Sequence, residues 1–273
     1  MIVTVLQNAG SRSARRLAGG LSQALHRPVG RGTALSRKAS RLPRYVVNWG
    51  VSTQPTGWRQ TRLEFSNTPA AVNNCRDKIR TFQRLQGANV ASLDFTTEIA
   101  AARAWQADGR KIIVRRSTTS HSGHGIVVVR EGQAIPQAPL YTKYFRKDAE
   151  YRAHVIGGRV VLIQQKRRDR EAQQEADEAL IRVHNNGWIF TVNALDCDGM
   201  QYRTALEDLA IAANNAVGCG HSAVDILVRH GRQVTMVVCE INSAPALEAD
   251  STREAYVFGI AGIIQEAEAR RNR

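Results

Sequence analysis

Short apolar, β-rich runs alternate with amphipathic stretches along most of the chain. Residues 1–6, MIVTVL, are the first such run and predict a strand. Over residues 11–25, Leu17, Leu21 and Leu25 fall four apart, which predicts a helix. Residues 27–44 are basic and polar, with Pro28 and Pro43, and predict a loop or basic flap. Residues 45–49, YVVNW, predict a second strand, so residues 1–66 read as a short N-terminal α/β domain. Thr68 is a good N-cap and Pro69 suits a first helical position, which predicts a helix carrying Asp77 and Lys78 to about Leu85. A further helix is predicted over 96–107, followed by strands at 111–115 and 126–130. Between those strands lies a small, polar, glycine-containing loop, STTSHSGHG, at 117–125. The Pro-containing stretch 132–139 marks a boundary, dividing 67–139 from 140–273.

Beyond it, strands are predicted at 140–145, 150–154, 159–166 and 188–192. The charged run 167–178 reads as a solvated helix or loop. Leu206, Leu209, Ala213 and Val217 share one face of a helix over 204–217, which Gly218 and Gly220 end. A closing helix is predicted over 252–269, with 270–273 frayed.

Residues 222–248 read SAVDILVRHGRQVTMVVCEINSAPALE, two apolar runs around the turn His230-Gly231-Arg232. That is an antiparallel hairpin. Asp225 and Glu240 stand where such strands carry Val or Ile. A carboxylate in a nearly all-apolar strand must pair or hold a cation, because burying it bare costs several kcal/mol. Residues two apart on a strand point the same way, so Glu240 and Asn242 share a face, and the hairpin can bring Asp225 beside them. Two carboxylates and an amide oxygen suit Mg2+, which leaves positions for nucleotide phosphates. The plainer alternative is that both acids are strand-end charges reaching solvent or pairing with nearby arginines.

Composition narrows the class. The chain has 273 residues with 43% hydrophobic and 23% charged, which is globular rather than disordered. Cys75, Cys197, Cys219 and Cys239 show no C-x-x-C spacing and read as reduced thiols of a cytoplasmic protein, not as a disulfide frame or zinc site. No apolar run reaches membrane-spanning length, and the first 20 residues lack a signal-type apolar region. The net charge of +14 points either to an acidic partner, such as nucleic acid, a nucleotide or a polycarboxylate, or to a solvated basic surface. No familiar nucleic-acid-binding motif is present, and the 16 aromatics do not interleave with basic residues as base-stacking surfaces do. His121 and His124 have no Cys or acid at ligand spacing and are not read as metal ligands.

The ordered set of motifs over about residues 67–260 resembles the ATP-grasp superfamily. VCEINSAPALE is similar to its E-x-N signature, with Ala246 where many members have Gly. The resemblance implies an α+β ATP-grasp fold, two subdomains sandwiching ATP behind a short N-terminal domain. It also implies site roles. Asp225, Glu240 and Asn242 would hold the magnesium ions of ATP. Lys78 would face the nucleotide from its helix. Arg115 stands where the family usually has a lysine reaching the α-phosphate. Ser122, Gly123 and Gly125 would belong to a mobile loop over the phosphates. Thr142, Lys143 and Tyr144 would bind adenine through their backbone, and Glu150 would take the ribose hydroxyls. Arg152 would stabilise the phosphates or an acyl-phosphate intermediate, joined by Lys166. The alternative for Arg152 and Lys166 is an internal salt bridge to Asp225 or Glu240.

Among family members the resemblance is to the peptide-ligase-like ones, including compact ones borne by phages. The implied activity is an ATP-dependent carboxylate–amine ligase working through an acyl phosphate. Its partners would be ATP, a carboxylate and an amine, either of which could sit on a peptide, protein or nucleic acid. Two other readings stay open: an ATP-grasp kinase, or a basic nucleic-acid-binding protein with a degenerate nucleotide site. The charge density of 27–44 raises the further expectation that this segment recruits an acidic acceptor.

Overall fold

The structure, a computed structural model, describes residues 1–35, 45–55, 63–119, 125–169, 182, 187–191 and 201–273. Its N-terminal unit begins with β1 (Val3–Gln7), α1 (Arg12–Ala24), β2 (Gly30–Gly32), β3 (Tyr45–Trp49) and β4 (Glu64–Phe65). The strands form a parallel sheet in the order β2-β1-β3-β4. Ser11 caps α1 by accepting from the Ala14 N–H, and the predicted Leu17 and Leu21 stripe is fully buried. It packs with Val5, Val47 and the C-terminal helix α6 (Asp250–Arg271; α5 is given below), which carries Tyr256 and Ile260 into the same core. The helices approach closely: a Cβ on Gly20 would lie 2.5 Å from Val257 Cγ2. β2 lies within the stretch expected as a loop, and 36–44 of that stretch falls outside the described residues.

Where one helix was expected after Pro69 there are two, α2 (Pro69–Arg76) and α3 (Lys78–Gly87). Asp77 separates them. It has extended backbone, and its carboxylate accepts from the Ile79 and Arg80 N–H groups as the N-cap of α3. An Asp side chain offers the backbone a partner that helix continuation does not, so the chain restarts there.

The second sheet has β5 (Phe95–Thr96), β6 (Ile112–Arg115), β7 (Ile126–Val129) and β8 (Leu140–Lys143), in the antiparallel order β5-β8-β6-β7. α4 (Ile99–Ala107) packs against it through Ala102. The division drawn from the sequence at 139/140 runs ahead of β8, which pairs with β6 in this sheet.

The third sheet holds β9 (Ala149–Ile156), β10 (Arg159–Arg168), β11 (Trp188–Thr191), β12 (His221–Arg229) and β13 (Thr235–Asn242). It is antiparallel, ordered β11-β10-β9-β12-β13. α5 (Arg203–Val217) ends at Gly218 in the left-handed conformation, φ 78°, which glycine tolerates. One core joins α2, α3, α5 and this sheet, with Phe82, Leu85, Leu206, Ala153 and Ile226 buried in it. Each of the Phe, Leu and Ile side chains among them contributes roughly 1.5–3 kcal/mol on full burial. Among the described residues no helix is long and apolar enough to cross a membrane.

Candidate active site

Alternation along β9 sorts its side chains. Tyr151, Ala153 and Val155 enter the core shared with α5, so Glu150, Arg152 and His154 face the other way. On that second face the register sets Arg152 opposite Asp225 on β12, and Asp225 opposite Glu240 on β13. One row of three charged side chains thus crosses three adjacent strands. Asn242, two residues past Glu240, is on the same face at the strand end.

The β12–β13 ladder shifts register here: Asp225 pairs Glu240 but Ile226 pairs Val238. Cys239 is the extra residue, without a partner on β12; it packs against the core shared with α5 and is adjacent to Glu240. Burial, with Glu150, Asp225 and Glu240 nearby, pushes its thiol well above the usual range.

Each acid on this face holds a cation. Arg152 grips Asp225 as a fork, Nε to Oδ1 at 2.6 Å and Nη2 to Oδ2 at 2.7 Å. Burial opposes the guanidinium charge, but Asp225 outweighs it and raises the pKa above its ordinary value. Lys166 Nζ lies 2.6 Å from Glu150 Oε1, and Lys147 Nζ lies 4.0 Å from Oε2 of the same carboxylate. Burial lowers the Lys147 pKa, with Glu150 acting against it. Lys78 Nζ lies 3.2 Å from Glu240 Oε1. Of the salt bridges anticipated as an alternative, Arg152 with Asp225 is present, whereas Lys166 pairs with Glu150 rather than with Asp225 or Glu240. Phe190 on β11 floors two of them, its ring centroid 4.0 Å from Arg152 Cζ and 4.9 Å from Lys166 Nζ.

Arg115 comes to this site from β6. Burial lowers its pKa, and the Glu240 charge pulls the other way. Its Nε is buried and has no hydrogen-bond partner among the described residues. The adjoining loop is tied at both ends: the Lys78 N–H donates to Thr118 O, and the Arg116 N–H to Gly125 O. Gly125 has φ 74°. Ser122 and Gly123, with His121 and His124, lie outside the described residues.

Thr142 and Lys143 lie on β8, with Tyr144 just past its end. Thr142 is fully buried inside the second sheet. The Lys143 N–H donates to Asp94 O, and the Tyr144 N–H to Lys111 O. Both N–H groups are thus engaged within the protein. The Lys143 side chain turns to Asp94 at 3.0 Å, above the Trp105 ring. Burial raises the Tyr144 phenol, against the pull of Arg182 and Arg146.

A cleft of about 380 Å³ opens beside Glu240, Asn242 and Lys78, closed on the far side by Asn8, Ser13 and Trp49 of the N-terminal unit. Asn67 braces this end. Its amide oxygen accepts from the Gly220 and His221 N–H groups, and its Nδ2 donates to His221 O at 2.9 Å. His221 stacks on Trp49 with ring centroids 5.2 Å apart.

Sequence reasoning did not mark Lys147, Phe190 or Cys239. Lys147 sits in a charged turn like many others. The strand bearing Phe190 was predicted but not its register, and a bulge leaves no pattern in a run such as MVVCEIN.

The donor set fits a small hard cation carried by phosphate: two carboxylates in register, an amide oxygen, and basic side chains around them, one with an orphaned donor. Among the described residues no group of three or more His, Cys, Asp or Glu side chains is placed to hold a metal ion.

No protein-family model and no curated protein matches the chain. Solved structures do. A D-alanine–D-alanine ligase from Bacillus anthracis superposes with TM-score 0.66 at 13% identity, covering 98% of this chain and 99% of that one. The ATP-grasp ligase PsnB, complexed with minimal precursor, Mg and ADP, gives 0.65 at 13% identity over 92% and 91%. A RimK domain ATP-grasp protein from Sphaerobacter thermophilus gives 0.64 at 16% identity over 96% and 98%. The chain has the ATP-grasp fold.

Proposed function

We propose that this protein is an ATP-dependent carboxylate–amine ligase. The observation that carries the reading is the in-register row Arg152–Asp225–Glu240, with Asn242 at its end and Lys78, Arg115 and Lys166 around it. The fold neighbours support the class, since two of those named above are ligases and one of these was solved with Mg and ADP.

In this reading Asp225, Glu240 and Asn242 hold magnesium. When bound, the ion neutralises the triphosphate and draws charge from the transferring phosphoryl group. Arg152 and Lys166, floored by Phe190, place positive charge where the γ-phosphoryl group passes. Arg115 offers its free Nε to a phosphate oxygen. A carboxylate oxygen of the first substrate attacks the γ-phosphorus and ADP leaves. The amine then attacks the acyl carbon, phosphate departs, and the amine proton goes to solvent. No side-chain nucleophile is required. The cleft against Asn8, Ser13 and Trp49 adjoins the metal end and is where the carboxylate substrate would sit.

A mass-spectrometric screen of amino acids, peptides and nucleic acids for ATP-dependent adducts lacking one water tests this. ADP and phosphate release that needs both an acid and an amine is expected. A stable phosphorylated product would show instead that transfer stops at the first step.

A further inference from the structure

We infer that Cys75 and Cys219 form a redox-active dithiol, a modification site whose oxidation to a disulfide clamps α2 to the start of β12. The site does not depend on the nucleotide reading and holds whatever the charged face binds.

The two thiols are 144 positions apart in the chain, yet their sulfurs lie 3.4 Å apart. Cys75 is in the last turn of α2, and Cys219 follows the left-handed Gly218 that ends α5. Both are buried, each 7% exposed. A disulfide sets its sulfurs about 2.05 Å apart, so an approach of about 1.4 Å closes the bond.

The backbone is held on both sides of the pair. Thr81 Oγ1 donates to Asn74 O at 2.6 Å, and Asn74 Nδ2 donates to Val217 O at 3.2 Å, which ties α2 to the end of α5. Opposite, the Cys219 N–H donates to Asn214 O, and Cys219 O accepts from Asn214 Nδ2 at 2.6 Å. Cys219 also forms a β-bridge with Asn67. Two frames fixed in this way keep the sulfurs face to face. Once one is oxidised, attack by the other is intramolecular and outruns a second oxidation.

Cys75 lines the cleft of about 380 Å³, so a small oxidant has a way in. Hydrogen peroxide is such an oxidant. The Cys75 thiolate attacks a peroxide oxygen, forming a sulfenic acid, and the hydroxide released takes up the thiol proton as water. The Cys219 sulfur then attacks the sulfenic sulfur. The S–S bond forms, and hydroxide leaves with the Cys219 proton as a second water. Two thiols lose two electrons in total, and peroxide is reduced to two waters. The hydrogen bond with Cys219, together with burial, holds the Cys75 thiol well above its usual range, so the first step is slow near neutral pH. The linked segments lead to Lys78 and Asp225, three and six residues further on. The loop that the bond closes is long, which restricts the unfolded chain strongly.

Peroxide treatment of the full chain tests this, read by intact mass, peptide mapping and thermal melting without reductant. Loss of two hydrogens is expected, with one peptide pair joined through Cys75 and Cys219. Melting temperature is expected to rise on the order of 5 °C, and dithiothreitol to reverse all three changes. Cys75→Ala and Cys219→Ala should each lose the cross-link and the rise. If either variant does not fold, the wild-type peptide map decides. Thiols left intact, oxygen added to either sulfur without a cross-link, or a link through Cys197 or Cys239 overturns the inference. So does a Cys75–Cys219 link with no rise in melting temperature.

Discussion

Arg152 and Asp225 face each other across β9 and β12 and share two hydrogen bonds, with their side chains 18% and 4% exposed. A buried fork of this kind is weak evidence for stability, because desolvation offsets much of the attraction. Its geometry does fix both groups on one face. Arg152→Met leaves Asp225 charged, buried and alone, and is expected to lower unfolding stability by roughly 3–5 kcal/mol. Adding Asp225→Leu to that variant should restore much of the loss without restoring ATP turnover. Urea unfolding of the three proteins checks this, and a single variant as stable as wild type contradicts it.

Glu240 differs in exposure. Its side chain is 31% exposed and its pair with Lys78 is 3.2 Å long. Such a partly solvated pair contributes on the order of 0–1 kcal/mol. Glu240→Gln should therefore unfold close to wild type while ATP turnover falls by about 100-fold or more, the scale of losing a major electrostatic contact in the transition state. Phosphate release and a thermal melt on the same sample read both quantities. Full turnover in this variant excludes Glu240 as a metal ligand.

Acid should weaken the fold through its buried histidines. Burial, opposed by a Gln164 hydrogen bond, lowers the His154 pKa from 6.5 to about 4, and burial lowers that of His221 to about 3. As pH falls below 6.5 the unfolded chain takes up protons that the folded chain refuses. Stability is thus complete above about 6.5 and is lost toward 4 and below, by roughly 3 kcal/mol for His154 alone. His154→Gln should flatten the dependence of unfolding stability on pH between 6 and 4. An unchanged slope would show that His154 does not titrate in this way.

Cys239 gives an independent report on the site. Cys75 and Cys219 are buried, with sulfurs 3.4 Å apart, whereas Cys239, next to Glu240 in the chain, is partly buried. Its raised pKa predicts slow alkylation at neutral pH. Mg·ATP should slow it further, which peptide mapping after maleimide labelling would detect. Equal labelling at Cys239 with and without Mg·ATP would place the nucleotide elsewhere.

Much of this was legible in the chain, for identifiable reasons. Asp225, Glu240 and Asn242 stood out because acids interrupt an apolar hairpin, and the register then set the two carboxylates opposite each other. Leu17 and Leu21 showed the buried face of α1 because a periodic stripe is a local signal. Asp77 was equally visible but was read as a helix residue, since capping and continuation compete and the sequence alone does not weigh them. The pairing of β8 with β6, the bulge at Cys239 and the placement of Phe190 under Arg152 depend on contacts between distant segments. Nothing within any one segment encodes them.

The most direct measurement is anomalous diffraction from crystals holding Mn·ATP. The account places the anomalous peak among Asp225, Glu240 and Asn242, at oxygen distances of about 2.0–2.3 Å, with Arg152 turned from Asp225 toward phosphate. A peak elsewhere, or bound nucleotide with the Arg152–Asp225 fork intact, would contradict it.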